Sequence, residues 1–213
     1  MKDTIISMVC NALTEGRIED ARRIVEVEYP HRPLMPDGRS YTAFQSATIF
    51  IRDGFIDRYS GQRLVFPPVL RLVSNLIPDA LPFQKNWKMS ECHIAYWHLF
   101  PTIDHIIPVS RGGEDKDINW VSTSMLRNSA KSHWLLEEIG WGLHPPGDLE
   151  EWDGLIHWFM KYTEDHPEIL NDSYISKWRK AAIRVIKKAN RSTESSGATS
   201  LGKNMTAVDA ATR

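Results

Sequence analysis

Four polar side chains of different kinds stand in one stretch of the chain: the neighbours Asp104 and His105, then Asn128 and Lys131. A carboxylate, an imidazole, an amide and an ammonium together suit hydrolysis of a phosphodiester. A hard divalent ion, Mg2+ or Mn2+, takes oxygen ligands, which the Asp104 carboxylate and the Asn128 side-chain carbonyl can supply, with water and phosphate oxygens filling the other positions. Imidazole titrates near neutrality, so His105 can take the proton from an attacking water. Such an ion stabilises charge developing on the phosphate and on the leaving 3′ oxygen. Lys131 is expected to add a positive charge beside the same phosphate.

These residues need elements that bring them together. Ile103, Ile106 and Ile107 with Pro108 behind them predict a short strand, and Arg111-Gly112-Gly113 followed by Glu114, Asp115 and Asp117 predicts a loop. Val121 opens a second extended piece. Ser122, Thr123 and Ser124 are N-cap candidates for a helix through Met125, Leu126, Ala130, Trp134 and Leu135. The order is strand, loop, strand, helix. Asn128 and Lys131, three residues apart, share one helix face that can meet the strand carrying Asp104 and His105. Neighbours on a regular strand point to opposite faces, so that pair is expected at a twisted strand end, with Asn119 holding the loop or the imidazole in place.

Asp104-His105-Ile-Ile-Pro108, Asn119-Trp120-Val121 and Asn128-Ser-Ala-Lys131 resemble the HNH motif of the ββα-metal, or His-Me finger, endonucleases. The resemblance spans about thirty residues. It implies metal ligation by Asp104 and Asn128, His105 as general base and Asn119 as its support, with Asn as the third motif residue, as in many members. It also implies cleavage to a 5′ phosphate and a 3′ hydroxyl. Many such proteins brace the finger with a zinc on two Cys-x-x-Cys pairs. Here the corresponding positions read Asp57-Arg-Tyr-Ser60-Gly61 and Ser124-Met-Leu-Arg127-Asn128, without a thiolate, so no structural zinc is expected. An Asp57–Arg127 ion pair is the expected replacement.

Composition sets the wider frame. A chain of 213 residues with 42% hydrophobic and 25% charged residues is ordinary for a globular protein. A net charge of −1 excludes a global polycation, so nucleic-acid binding must come from a local patch. Cys10 and Cys92 allow at most one disulfide and no Cys-rich metal site. There is no run of about eighteen apolar residues and no basic start with an apolar core behind it. The expectation is a cytoplasmic protein without a membrane partner.

The predicted class is α+β, a ββα-metal finger at about residues 100–135 embedded in a mainly helical protein. Residues 1–30 read as a helical hairpin, for packing or dimerisation, from the spacing of Ile5, Ile6, Val9 and Leu13 and of Ala21, Ile24 and Val25. A Pro-rich connector follows, and residues 40–140 form the nuclease domain. His93 and His98 with Cys92 lack the spacing of a metal site, so a buried or capping role is expected. Leu136, Ile139 and Trp141 read as a further helical face. Trp152, Leu155, Ile156, Phe159 and Met160 predict a strongly apolar helix within the C-terminal helices of residues 148–191. That region ends in a basic helix with no acidic residue from 176 to 191. Lys177, Arg184, Lys187 and Lys188 on it, with Arg111 and Arg127 in the finger, are the candidate nucleic-acid contacts. Arg52, Arg58, Arg63 and Arg71 are weaker ones. Residues 192–213 read as a disordered tail.

Two functional classes compete. One is a metal-dependent endonuclease acting on double-stranded DNA, alone or with a partner protein, with RNA as the other substrate since chemistry at the phosphate is shared. One finger nicks one strand, so double-strand cleavage needs a homodimer or two successive nicks. The other class is a non-catalytic nucleic-acid or protein-binding module that keeps the finger as a fold.

Overall fold

The computed structural model describes residues 2–31 and 40–205 and divides into two units, Met1–Gly38 and Arg39–Arg213. The first is a hairpin of α1 (Lys2–Thr14) and α2 (Ile18–Glu28). Gly16 turns it with a φ of +72°, a left-handed value that costs glycine little. Most of the Pro-rich connector lies outside the described residues.

In the second unit, α3 (Ala43–Arg52) begins at a reciprocal cap. Thr42 Oγ1 accepts from the Gln45 N–H at 3.2 Å while Gln45 Oε1 accepts from the Thr42 N–H at 3.0 Å. A tight turn at Asp53 and Gly54 leads to the irregular segment 55–66, and Pro67 and Pro68 open α4 (Pro67–Leu76), where a missing N–H costs nothing. After the short α5 (Ala95–His98) come β1 (Pro101–His105), β2 (Trp120–Ser124) and α6 (Met125–Lys131). The strands are antiparallel, with Ile103 opposite Ser122 and His105 opposite Trp120. The chain closes with α7 (Ile156–Asp165) and the long α8 (Ser173–Met205). It is thus mainly helical with one two-stranded sheet, an α+β arrangement.

The core lies between α3, α4, α7 and α8. The ring of Phe66 meets Phe55, Phe159 and Trp178 edge-on at centroid distances of 6.0, 5.4 and 5.5 Å, geometry that aromatic quadrupoles favour. Ile175, Trp178, Ala181, Ala182 and Val185 bury one face of α8. α3 packs on α8 and also touches both strands, so one helix ties the core to the sheet.

Several boundaries differ from the sequence reading. β1 ends at His105, so Ile106 and Ile107 lie in the following loop. α6 stops at Lys131, because Ser132 adopts φ +48° and turns the chain. Trp134 and Leu135 are therefore beyond the helix, and Leu136–Glu138 forms only a 3-10 turn. Trp152 and Leu155 precede α7. Asp153 caps that helix by accepting from the Leu155 and His157 N–H groups at 2.8 and 3.0 Å. α8 continues to Met205, into the stretch expected to be a tail, and residues 206–213 lie outside the described residues. No helix among the described residues is long and apolar enough to cross a membrane.

Candidate active site

The strand, loop, strand and helix order expected around Asp104 and His105 is present, and α6 lies against β1. Ser124 caps α6, its hydroxyl accepting from the Arg127 N–H at 3.2 Å. Asn128 and Lys131 both turn toward β1. The Asn128 amide donates to Thr102 Oγ1 at 2.9 Å and to the Ile103 carbonyl at 3.3 Å. Lys131 is fully buried and reaches Asp104 Oδ2 at 2.9 Å and the His105 carbonyl at 2.7 Å.

That position changes the role expected for Lys131. A buried ammonium needs partners for its charge, and here the partners are a carboxylate and a backbone carbonyl at the end of β1. Lys131 therefore holds Asp104 and the strand end rather than projecting toward a phosphate. Tyr59, to which the sequence reading gave no role, donates its hydroxyl to the same Asp104 oxygen at 2.7 Å. Burial and the Asp104 charge push the Tyr59 phenol far up, so it stays a donor.

The convergence of Asp104 and His105 expected at a twisted strand end is not seen in their contacts: they have separate partners, as alternation along a regular strand requires. The His105 Nε2 lies 2.8 Å from Asp115 Oδ1. The Trp120 indole N–H reaches both of these atoms at 3.0 Å. A ring nitrogen and a carboxylate oxygen at 2.8 Å need a proton between them. A hydrogen on Nε2 directed at Asp115 leaves the Trp120 N–H to Asp115 as well and puts the lone pair of a neutral imidazole on Nδ1.

Asn119 supports the loop and not the ring. Its side-chain amide accepts from the Ile107 N–H at 2.9 Å and donates to the Ile107 and Glu114 carbonyls, both at 2.9 Å. Gly113 makes this possible, because a Cβ there would lie 1.8 Å from the Ile107 carbonyl oxygen.

The expected Asp57–Arg127 pair is not formed. Asp57 is fully buried and accepts from the Tyr59 N–H and the Ser124 N–H at 2.9 Å and the Thr123 hydroxyl at 3.1 Å. Arg127 lies over the Trp141 ring, 4.9 Å from its centroid. Asp53, also fully buried, accepts from the Ser122 N–H at 2.7 Å and from Arg52 and Arg58 at 2.8 and 3.1 Å. Two carboxylates thus pin β2 to the 53–60 turn. They do so through backbone N–H groups of both segments and, at Asp53, through the Arg52 and Arg58 guanidiniums.

Of the other candidate contacts, Arg111 pairs with Glu138 at 3.0 Å, whereas Lys177, Arg184, Lys187 and Lys188 are exposed on α8. Arg52 donates to the Asp117 and Trp120 carbonyls at 2.9 and 2.6 Å. Arg58 bonds the His144 carbonyl at 2.6 Å, Arg63 lies 5.4 Å from the Trp152 ring centroid, and Arg71 lies 3.6 Å from that of Phe83. His93 accepts from the Ala95 N–H at 3.1 Å, capping α5. Among the described residues, no group of three or more His, Cys, Asp or Glu gathers as a metal cluster. A cation at Asp104 would therefore draw on the Asn128 carbonyl, water and phosphate oxygens. The donor set fits in kind, both groups being hard oxygen ligands. With the Asn128 NH2 committed to β1, the carbonyl is the end of that amide able to ligate.

Sequence reasoning missed Tyr59, Asp115 and the bracing role of Asp53 and Asp57. Asp115 stood in view in the acidic loop, but nothing in its spacing distinguished it from Glu114 or Asp117. Compared with family models, curated proteins and solved structures, the chain matches none.

Proposed function

We propose that the chain is a metal-dependent endonuclease of the HNH type that hydrolyses DNA phosphodiester bonds. The observation that carries this reading is the β1–loop–β2–α6 unit, with Asp104 and His105 at the end of β1 and Asn128 and Lys131 facing that strand from α6. In this reading, His105 Nδ1 takes the proton from the attacking water. The resulting imidazolium already has Asp115 at Nε2, as an orienting carboxylate serves a histidine base elsewhere. Asn119 fixes the loop that carries Asp115, while Lys131 and Tyr59 hold Asp104. Asp104 and Asn128 would hold a divalent cation, which supplies charge stabilisation for the phosphate and the leaving oxygen.

One observation favours a second reading, a nucleic-acid-binding module without cleavage. Asp104 Oδ2 is already met by an ammonium and a hydroxyl, which weakens its pull on a cation.

Plasmid cleavage with Mg2+ or Mn2+ separates the two, using wild type, His105→Ala and Asn128→Ala with EDTA as the control. The nuclease reading expects nicking or linearisation by wild type alone, a loss of about 100-fold or more in His105→Ala, and weaker Mn2+ binding by calorimetry in Asn128→Ala. Binding of DNA with no cleavage under any metal supports the module. The ratio of nicked to linear product over time distinguishes successive nicks from the action of two copies.

A further inference from the structure

The basic stretch of α8 is more orderly than its composition requires. Lys177, Lys180, Arg184, Lys187, Lys188 and Arg191 are all exposed, and their spacing of three and four places them on one face. The opposite face is buried in the core. From residue 177 to residue 191 the stripe runs about 21 Å at 1.5 Å per residue, or about six base-pair steps at 3.4 Å each. The stripe is also concave. A groove of about 520 Å3 lies between its cations and Phe44 of α3, and a second groove of about 250 Å3 continues it past Lys177 and Thr42. The Arg184 guanidinium lies over the Phe44 ring at 4.1 Å, which holds one cation in the groove.

We propose that this groove is a sequence-independent dock for the sugar–phosphate backbone of duplex DNA, separate from the ββα unit. Among the described residues no carboxylate lines either groove, and residues 173–191 contain no acidic residue in a chain of net charge −1. Segregated positive charge at helical spacing complements a regular polyanion and gains from counterion release. Polar fork-shaped and ammonium donors contact phosphate oxygens without reading bases. Helix α3 then acts as a ruler. Phe44 stands in its first turn, and Arg52 at its other end donates to the Asp117 and Trp120 carbonyls in the loop and strand that hold His105. Eight residues of helix separate the two by about 12 Å, so backbone held in the groove is three to four base-pair steps from that loop, measured along α3. The assignment of the polyanion as DNA rests on the nuclease reading; the dock itself is read by binding.

The test is fluorescence anisotropy with a labelled 20-base-pair duplex of arbitrary sequence, in EDTA, between 50 and 200 mM KCl. The triple variant Lys177→Gln/Lys180→Gln/Lys187→Gln is compared with wild type, His105→Ala and Lys88→Gln/Lys161→Gln. The last pair removes exposed lysines elsewhere that already face Glu91 and Asp165. Three lost phosphate contacts lower the slope of log affinity against log salt by about 2.7, while His105→Ala and the control pair keep the wild-type slope. All the substituted lysines are exposed, so circular dichroism should be unchanged. An unchanged slope in the triple variant overturns the proposal. So does a wild type that binds no duplex, or one that binds phosphatidylserine vesicles in its place. Duplex binding through the stripe without cleavage under any metal leaves the dock standing and removes the nuclease reading.

Discussion

Replacing Asp57 by alanine should destabilise the second unit by about 4 kcal/mol. The carboxylate is fully buried and accepts from two backbone N–H groups, of Tyr59 and Ser124, and from the Thr123 hydroxyl. The hydroxyl can rotate to another acceptor, but the N–H groups are fixed by the turn and by the start of α6. A buried donor left unpaired costs about 1–3 kcal/mol, so two account for the estimate. At about 2–4 °C per kcal/mol for a unit of this size, the melting temperature should fall by about 8–16 °C. Asp57→Asn keeps the shape but sets an NH2 among these donors, and should cost about half as much. Arg127→Ala removes only the contact with the Trp141 ring, about 0.5–1 kcal/mol. Ser124 and the Tyr59–Trp141 ring pair lie between the two sites, but Arg127→Ala keeps the backbone N–H that Ser124 caps and the two side chains do not bond the same group, so the double variant should be additive within about 0.5 kcal/mol. Thermal and urea unfolding of wild type and the four variants measure all of this. A melting temperature for Asp57→Ala within about 2 °C of wild type would refute the brace. A coupling above about 1 kcal/mol would refute the independence of the two sites.

Two further predictions concern the loop and the buried phenols. Gly113→Ala places a Cβ 1.8 Å from the Ile107 carbonyl oxygen and 2.8 Å from Asn119 Nδ2. It should open the loop and reduce cleavage by about 10-fold or more, the scale at which displacing positioning groups acts. Cleavage equal to wild type would show that the Asn119 clamp does not position the base. Burial pushes the phenols of Tyr59, Tyr96 and Tyr174 up, so their folded values lie above the unfolded one. Their contribution to stability is complete below about pH 10 and declines as the pH rises further, where the unfolded chain loses protons that the folded chain keeps. Urea unfolding at pH 8 and pH 11 should show the loss, and Tyr59→Phe should make it smaller. Equal dependence in that variant would count against a buried, protonated Tyr59.

What the sequence made legible was local. The alternation of apolar and polar residues, the serine cap at Ser124 and the glycines of the loop were enough to place two strands and a helix around Asp104, and the three-residue spacing put Asn128 and Lys131 on the face that meets β1. The basic helix was legible from its lack of acids. The partners of these residues were not: Asp115, ten residues from His105, carries no mark that sets it apart in an acidic loop, and the others come from far along the chain. Tyr59 lies forty-five residues from Asp104, and Asp53 lies sixty-nine from Ser122. The Asp57–Arg127 expectation failed for a related reason. It matched opposite charges, whereas a buried carboxylate is satisfied as well by backbone N–H groups, which carry no signal in the sequence. The end of α6 was also hidden, since Ser132 is an unremarkable residue that happens to take a left-handed conformation.

The Asn119 side chain extends the sheet beyond the point where its strands stop. Ile106 still donates to the Asn119 carbonyl, but at Ile107 the opposite rung is the side-chain amide, which offers both a donor and an acceptor as a peptide unit would. The ends of the loop are therefore tied together by one residue, whatever lies between them. Closing a longer loop costs only about 0.6 kcal/mol for each doubling of length, and Gly112 sits in open space at the tip. Extra residues inserted there can dangle from the rung without reaching it, which makes the tip of this loop a place to graft a tag or a recognition peptide beside the His105 end of the strand.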